Sequence, residues 1–318
     1  KSLRRFLPGA VLLFVACALL ARALPGRAAA APYQVYINGL RTNYAHQSVL
    51  PGEWLALQAQ ANFAMAAGHW ESHGGQLVGS SSNRFTDAYW RSTQPGTYWV
   101  SFTAKTPQGG TVRSIVTIFA LVPFQQLKGG QINGYTLGNY KGGSPTASSA
   151  PDIVRENAEH YHLPKGFIEI TERNRAWPIS PHFRLGDFVY GDDHANRIYA
   201  VLSEKLVQKL ELLIDWMQAY HYPVRGLRIL SGFRTPEVNQ AIGRGGFSRH
   251  VFGDAADIMV DDWNRDGKVD LQDAKILAAF VEYMDKQGYY TGGMGVYDTT
   301  SEHGPFVHVD TRGYIARW

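Results

Sequence analysis

The chain has a single cysteine, Cys17, which lies near its N-terminus. One thiol excludes an intrachain disulfide, so the fold must depend on its hydrophobic core and on any ions that it binds. The sequence also lacks an internal repeat, a nucleic-acid-binding motif and, beyond residue 31, an apolar run that could span a membrane. The net charge of +4 and the pI near 9.0 suit a protein beside an anionic polymer, but so mild a balance identifies no partner. We expect a monomer with no nucleic-acid partner.

Residues 1–31 are predicted to be a signal peptide. A basic start, KSLRR, precedes the apolar run FLPGAVLLFVACALLARAL, and the small residues of RAAAAP offer a cleavage site. An uncleaved membrane anchor is the alternative, which the interruptions at Pro8, Arg22 and Pro25 disfavour. We therefore expect export across the inner membrane to the periplasm or the cell wall, with no stable membrane span after cleavage.

Residues 32–122 are predicted to form an all-β sandwich. They contain short alternating runs such as YQVYI, WLALQA and VRSIVTIFALV, and PGTYWVSFTAKTPQGGTVRSIVTIFAL has the pattern of a hairpin. The segment resembles bacterial immunoglobulin-like modules. Its aromatic residues are interpreted as core rather than as sugar-stacking side chains. We expect a module that spaces the chain or directs it to a cell wall.

The rest of the chain is predicted to be an α+β domain, residues 152–318, after a linker or lead-in at 123–151 that is rich in Gly, Ser, Asn and Thr. A helix is indicated by an apolar stripe from Leu202 to Met217, with Lys205, Lys209 and Glu211 expected to face water. GLRILSGFRT then predicts a strand. His182 is interpreted as a structural residue.

Three candidate metal ligands lie in this domain: His250 and Asp257 in SRHVFGDAAD, and His308 in GPFVHVD. Residues 255–260 alternate with the period of a strand, and in residues 306–310 the same period places His308 and Asp310 on one face. Each ligand taken alone is better explained as an ordinary core, surface or turn residue. Taken together, two imidazoles and one carboxylate form the set that leaves zinc an open position for water. We therefore predict a hydrolytic zinc site.

Several separated motifs resemble those of the M15 family of zinc D,D-peptidases. These are SGFRTP at 231–236, Asn239, the segment Ser248–Asp257 and FVHVD at 306–310. The resemblance implies a small antiparallel sheet with helices, one zinc ion held by His250, Asp257 and His308, and peptidoglycan stem peptides as the substrate. It also implies a carboxypeptidase or a crosslink endopeptidase.

Arg234 and Ser248 are candidates for substrate contact. A guanidinium beside a zinc cleft repels the metal unless an anion lies between them. In the family that this chain resembles, the matching arginine faces the substrate carboxylate or the oxyanion at the scissile carbonyl. A structural salt bridge is the alternative for Arg234. Ser248 is expected to orient His250 or to contact the substrate.

The general base departs from the family pattern. Many members place a carboxylate three residues before the last histidine ligand, where this chain has Pro305. The remaining candidates are Glu302, Asp310 and His303, and each must reach the water that zinc activates. We favour Glu302, because Asp310 has a competing role as the acceptor that fixes the tautomer of a ligating histidine. If neither carboxylate reaches the water, the domain binds zinc without turnover.

A second metal site is predicted at residues 262–273. Oxygen-bearing side chains and a backbone carbonyl fill the positions of a twelve-residue calcium loop, with Gly267 at its sharp turn. The loop resembles those of dockerin modules, although a strand rather than a helix enters it. Calcium would brace the strand that carries Asp257. The predicted ligands are Asp262, Asn264, Asp266, Lys268 through its carbonyl, Asp270 and Asp273.

The first functional hypothesis is an exported zinc peptidase that hydrolyses a peptide bond in peptidoglycan. In this hypothesis Arg234 stabilises the oxyanion, and Glu302 or Asp310 carries the proton. The second is a wall-binding or scaffolding protein that keeps zinc but has lost turnover, which Pro305 makes conceivable. The third is a hydrolase of the same fold that acts on another amide.

Overall fold

The computed structural model describes residues 33–38, 44–79, 87–140, 145–190 and 196–318. The predicted signal peptide, residues 1–31, lies outside the described residues. From Gln34 onward the chain forms one compact unit. A helix with the length and apolar character needed to cross a membrane is not found among the described residues.

The N-terminal part is rich in β-structure. Its described strands are β1 (Val35–Ile37), β2 (Tyr44–Val49), β3 (Leu55–Ala61), β4 (Ala67–His73), β5 (Gln76–Val78), β6 (Asp87–Arg91), β7 (Gly96–Lys105) and β8 (Thr111–Ala120). They form two four-stranded sheets, in the orders β1-β3-β6-β5 and β2-β8-β7-β4. Strands β7 and β8 pair antiparallel as the predicted hairpin, whereas β2 pairs with β8 in parallel.

The two N-terminal sheets share one hydrophobic core. Ile37, Leu57 and Trp90 from the first sheet pack with Phe102 and Ile118 from the second. The alternation of buried and exposed residues in β3 and β6 follows from this arrangement, since one face of the sheet is in the core and the other is in water. The structure shows a two-sheet β-region, while its immunoglobulin-like character stays a prediction.

The C-terminal part is α+β. Its strands are β9 (Val122–Pro123), β10 (Gln131–Ile132), β11 (Tyr135–Thr136), β12 (Gly166–Thr171), β13 (Arg197–Ala200), β14 (Arg228–Ser231), β15 (Ala255–Met259), β16 (Gly293–Tyr297), β17 (Phe306–Asp310) and β18 (Ala316–Arg317). Its helices are α1 (Asp152–Glu156), α2 (Glu172–Arg175), α3 (Glu204–Ala219), α4 (Pro236–Ala241) and α5 (Leu271–Lys286), with 3-10 turns at Phe124–Gln126, Ala158–His160, Leu185–Phe188 and Arg249–Phe252.

A five-stranded sheet forms the centre of this part, in the order β14-β15-β17-β16-β18. Its pairs are antiparallel except for β16 and β18. Helices α3 and α5 contribute Leu210, Leu213 and Leu277 to the core, together with Ile258 and Val307 from β15 and β17. The sheet is therefore covered by helices on one side, which leaves the other side for polar groups.

Described residues of the segment expected as a linker or lead-in, residues 123–151, pack against the C-terminal core. Ile132 and Leu137 are almost fully buried there. Hydrogen bonds also join the β-region to this core: Asn174 Nδ2 donates to Thr97 Oγ1 at 2.7 Å. The domain boundaries that we predicted remain sequence-based proposals.

Two charged residues of α3 lie in the core rather than in water. Lys209 is fully buried, and its Nζ donates to Asp285 Oδ1 at 2.9 Å and to the Asp310 carbonyl at 3.1 Å. Glu211 is also buried and accepts hydrogen bonds from the backbone amide and ring of His182. The prediction that Lys209 and Glu211 face water is therefore wrong, because their partners come from segments that helical periodicity cannot reveal.

Candidate metal centre and active site

Two of the predicted ligands are placed by one strand pair. Strands β15 and β17 are antiparallel, and their register sets Asp257 directly opposite His308. Side chains that face each other across an antiparallel pair lie on the same side of the sheet. Both residues are buried, so the fold brings a carboxylate and an imidazole together from positions far apart in the sequence.

The third ligand, His250, comes from the 3-10 turn Arg249–Phe252. Gly253 ends this turn with φ of +70°, a conformation that other residues adopt only with strain. A Cβ at Gly253 would also lie 2.2 Å from the Val201 carbonyl. The His250 Nδ1–H donates to the Gly232 carbonyl at 2.7 Å. This bond leaves Nε2 as the unprotonated nitrogen that can bind a metal.

The candidate ligand atoms form a tight triangle. His308 Nδ1 lies 2.8 Å from Asp257 Oδ1 and 3.2 Å from His250 Nε2, and His250 Nε2 lies 3.3 Å from Asp257 Oδ1. Ligands that bind one tetrahedral zinc at about 2.0–2.2 Å lie roughly 3.3–3.6 Å apart. The triangle is therefore close to the size that a zinc ion requires, and a small relaxation would admit the ion.

Within the described ranges these three residues are the only group of His, Cys, Asp or Glu whose candidate ligand atoms converge in this way. Two nitrogens and one oxygen leave a fourth position of a tetrahedral ion for a non-protein ligand. The donor set therefore fits a catalytic zinc site.

Asp310 lies behind His308, away from the other ligands. Its Oδ2 is 3.2 Å from His308 Nε2, so Asp310 holds the ring nitrogen that does not face Asp257. Arg312 donates from Nε to both oxygens of Asp310, at 3.0 and 2.9 Å. Asp310 is fully buried, and its position suits an acceptor that fixes the His308 ring.

Burial and hydrogen bonding oppose each other in the pKa values of this cluster. Burial disfavours charged His308, but hydrogen bonds to Asp257 and Asp310 overcome it and raise the pKa of His308 to about 8. Burial dominates at His250 and lowers its pKa. Burial raises the pKa of Asp257, but the hydrogen bonds and charges of His250 and His308 outweigh it and hold that pKa well below its usual range. Without metal, the cluster is therefore a charged His308 held between two carboxylates.

Arg234 is engaged by the ligand carboxylate. Its Nη2 donates to Asp257 Oδ2, and its Nε donates to Ser231 Oγ at 2.8 Å. Arg234 thereby turns the other oxygen of Asp257, Oδ1, toward the two histidines. Among the described residues no hydrogen bond takes up its Nη1, and Arg234 lines the cavity beside the cluster.

The three ligands open onto a cavity of about 500 Å³. Glu302, His303 and Ser248 also line it, so these predicted site residues share one cavity with the three candidate ligands. Asp310 does not line the cavity. Of the candidate bases, Glu302 and His303 face the space in which a substrate would lie, and Asp310 faces the back of His308 instead.

Other residues that shape the site were not predicted from the sequence. Arg249 donates to both oxygens of Asp254 and so closes the turn that carries His250. The ring of Trp318 packs on His308 with centroids 5.1 Å apart, and its Nε1 donates to the Tyr297 hydroxyl at 2.6 Å. The position of Arg249 directly before a ligand was an available signal. No local pattern points to Trp318 or Tyr297.

The predicted calcium loop, residues 262–273, forms a compact turn. Gly267 has φ of +83°, as its predicted place at the sharp turn requires. Asp262 accepts hydrogen bonds from the amides of Asp266 and Gly267 at 3.0 and 2.9 Å. Asp273 is fully buried and accepts from the amides of Trp263 and Asp270. The carboxylates of the loop hold its own backbone, and calcium binding stays a prediction.

Comparison with known proteins supports a peptidase domain in this region. Residues 186–310 match the family model described as Peptidase M15, and this segment contains all three members of the metal cluster. The match covers less than half of the chain. A search of curated proteins found no match.

Solved structures share only limited similarity with this chain. A Photobacterium sp. JT-ISH-224 2,6-sialyltransferase matches 25% of the chain at 16% identity with a TM-score of 0.22, and the match spans only 17% of that protein. Fibronectin(III)-like modules of Clostridium thermocellum CbhA match 27% of the chain at 17% identity and a TM-score of 0.21, over 94% of the module. The PKD domain from KIAA 1837 protein matches 24% of the chain at 21% identity and a TM-score of 0.20, over 78% of that domain. Scores this low carry no argument about fold or function.

Proposed function

We propose that this chain is an exported zinc peptidase that hydrolyses peptide bonds in peptidoglycan stem peptides or crosslinks, as a D,D-carboxypeptidase or endopeptidase. One observation carries the proposal: His250 Nε2, Asp257 Oδ1 and His308 Nδ1 converge within 3.3 Å of one another at the wall of a cavity of about 500 Å³. The match to Peptidase M15 supports it.

The protein residues prepare this site for hydrolysis. His250, Asp257 and His308 would hold zinc, which supplies Lewis-acid polarisation of the scissile carbonyl and an acidified water. Gly232 and Asp310 accept from the outer nitrogens of the two histidines and thus hold both rings in the ligating tautomer. These contacts give the ligands a fixed geometry before a substrate arrives, which is how preorganised sites stabilise developing charge.

We assign proton transfer to Glu302. Its side chain is exposed in the cavity and has no acidic or basic partner among the described residues, so it is free to accept a proton from the attacking water and to pass it to the leaving amine. His303 next to it is the alternative. Arg234 would direct its free Nη1 at the negative charge that develops on the scissile carbonyl oxygen.

The remaining parts of the proposal rest on the sequence. The residues of the predicted signal would direct the chain to the periplasm or the cell wall, and the N-terminal β-region, proposed as an immunoglobulin-like module, would space or position the peptidase there. Peptidoglycan is the proposed partner.

We also propose that residues 262–273 bind structural Ca²⁺. The ligand pattern of the loop supports this, as does the positive φ of Gly267. Since the loop follows β15, a bound ion would stabilise the strand that carries Asp257. Calorimetry with CaCl₂ should show one site per chain in the wild type and none in Asp262→Ala. Equal binding heats for the two proteins would show that calcium does not bind at this loop.

Digestion of purified sacculi tests the peptidase proposal. Zinc-loaded wild type should release new amino groups or free D-alanine, whereas His308→Ala and Glu302→Gln should not, and only Glu302→Gln should keep its zinc. Negligible release by the wild type would reject the proposal. Retention of that inactive protein on sacculi would then identify a wall-binding protein, and cleavage of other amides alone would identify a hydrolase with a different substrate.

A further inference from the structure

One arginine of the cavity has no acidic partner among the residues that the structure describes. Arg234, Arg249 and Arg312 line this cavity, and each forms a salt bridge with a buried aspartate. Arg244 lines the same cavity and has no acidic partner among the described residues. Its whole guanidinium is therefore available to a ligand, whereas each of the other three shares its guanidinium with an aspartate.

The backbone around Arg244 is held in place although its side chain is exposed. Its amide donates to the Asn239 carbonyl at 2.9 Å, and Asn239 Nδ2 donates to the Gly245 carbonyl at 2.8 Å. Asn239 is almost fully buried, so one residue of α4 holds the loop at Arg244 through its backbone and at Gly245 through its side chain. A fixed backbone reduces the conformational entropy lost when a side chain engages a ligand.

Arg244 stands where two cavities meet. A second cavity of about 210 Å³ is lined by Tyr140, Asn239 and Val251, and Arg244 and Phe247 line both spaces. Phe247 is anchored by an edge-on contact with Tyr161, with ring centroids 5.7 Å apart. A peptide in the main cavity that extends toward the second space can therefore contact Arg244.

Charge indicates what Arg244 binds. The proposed metal site adds two positive charges to a cavity in which Asp257 is already paired with Arg234. Among the described residues, Glu302 brings one unpaired carboxylate to this cavity, and the unpaired guanidinium of Arg244 offsets it, so the charge of the metal makes the cavity attractive to anions. A planar guanidinium binds a carboxylate through two parallel hydrogen bonds.

We propose that Arg244 anchors a carboxylate of the substrate, so that this site selects peptides with a free carboxylate near the scissile bond. The inference rests on the proposed peptidase function and adds a residue that determines specificity. The carboxylate is either the C-terminus of the peptide or an acidic side chain, and amidation of each group distinguishes the two.

The test compares three synthetic stem peptides: one with all carboxylates free, one amidated at the C-terminus and one amidated at its side-chain carboxylates. Zinc-loaded wild type, Arg244→Gln, Arg244→Lys and a matched control, Arg228→Gln, are assayed for kcat and KM. Arg228 is exposed on β14 and does not line the cavity. Calorimetry in a Glu302→Gln background measures binding without turnover.

Arg244→Gln should raise KM and Kd for the free peptide about tenfold, the scale of one charge-assisted hydrogen bond, with a smaller change in kcat. Amidation of the anchored carboxylate should weaken wild-type binding by a similar factor and leave Arg244→Gln unaffected. Arg244→Lys should recover part of the affinity, and Arg228→Gln should match the wild type.

Equal KM and Kd values for wild type and Arg244→Gln on every peptide would overturn the inference. If the wild type binds the peptides without cleaving them and Arg244→Gln loses this binding, the subsite stands and the peptidase function fails. If the wild type neither binds nor cleaves them, both proposals are rejected.

Discussion

Asp310 Oδ2 lies 3.2 Å from His308 Nε2, while Asp257 Oδ1 lies 2.8 Å from Nδ1 of the same ring. His308 thus lies between two carboxylates. Asp257 faces the proposed metal position, and Asp310 does not. This relationship separates two roles that the sequence left open for Asp310. Its placement suits a residue that positions His308, and we propose Glu302 for proton transfer, with His303 as the alternative.

Asp310→Asn should weaken zinc binding about 10- to 100-fold, because the neutral amide is a poorer acceptor for the His308 N–H. Competition with a chromogenic chelator at fixed pH measures this change. Zinc affinity that stays at the wild-type value while kcat falls would instead indicate that Asp310 transfers the proton.

Glu302→Gln should show the opposite pattern. Loss of a general base lowers kcat about 10²- to 10⁴-fold, whereas zinc affinity should stay unchanged because Glu302 is not a ligand. Asp298→Asn is the matched control, since Asp298 is exposed in the same loop and does not line the cavity. If kcat survives in Glu302→Gln, the assignment of Glu302 is wrong and His303 is the next candidate.

Zinc affinity should rise with pH up to about 8. Burial opposes the charge on His308, but its bonds to Asp257 and Asp310 raise its pKa to about 8 in the metal-free protein. Since Nδ1 must lose its proton before it can bind zinc, the apparent affinity should rise about tenfold per pH unit from pH 6.5 to 8 and flatten above. A flat titration over this range would contradict the assignment.

The raised pKa of His308 also affects the stability of the metal-free protein. A raised pKa in the folded state stabilises the fold fully below the unfolded value of 6.5, and this contribution is lost as pH rises through about 8. Urea unfolding of the metal-free protein should therefore show that His308 contributes less to the free energy of unfolding at pH 9 than at pH 6. Zinc should remove the difference.

Lys209→Met should destabilise the protein by about 1.5–3 kcal/mol, because the buried Asp285 loses its ammonium partner and keeps only the guanidinium of Arg317. The side chains of Lys209 and Asp285 are both fully buried. Lys205→Met is the matched control on the exposed face of α3, and surface changes of this kind stay within about 0.5 kcal/mol. Urea unfolding measures both variants, and equal midpoints would show that the buried pair does not stabilise the fold.

The strands that carry the site could be predicted from the sequence because their alternation is local. Residues 255–260 and 306–310 show the period of a strand, and the structure places β15 and β17 there. The sequence also predicted a metal-binding role for His250, Asp257 and His308, because metal sites use few residue types. The direct opposition of Asp257 and His308 was not, since the register of a strand pair depends on residues far apart in the chain.

The charged residues were harder to place. Lys209 occupies a position on α3 that helical spacing assigns to water, and its hydrogen bonds to the buried Asp285 and to the Asp310 carbonyl explain its place in the core. Arg234 carried the substrate role in the sequence-based prediction, yet the structure pairs it with Asp257. Arg244 had no motif to mark it, and the role proposed for it follows from the lack of an acidic partner among the described residues, which only the three-dimensional arrangement reveals.

Anomalous diffraction at the zinc edge from crystals of the zinc-loaded protein tests the central claim most directly. One strong peak should lie about 2.0–2.2 Å from His250 Nε2, Asp257 Oδ1 and His308 Nδ1. The peak should be absent from crystals of His308→Ala soaked in the same way. No peak between these three atoms in the wild type, or a full peak at that position in His308→Ala, would contradict the account.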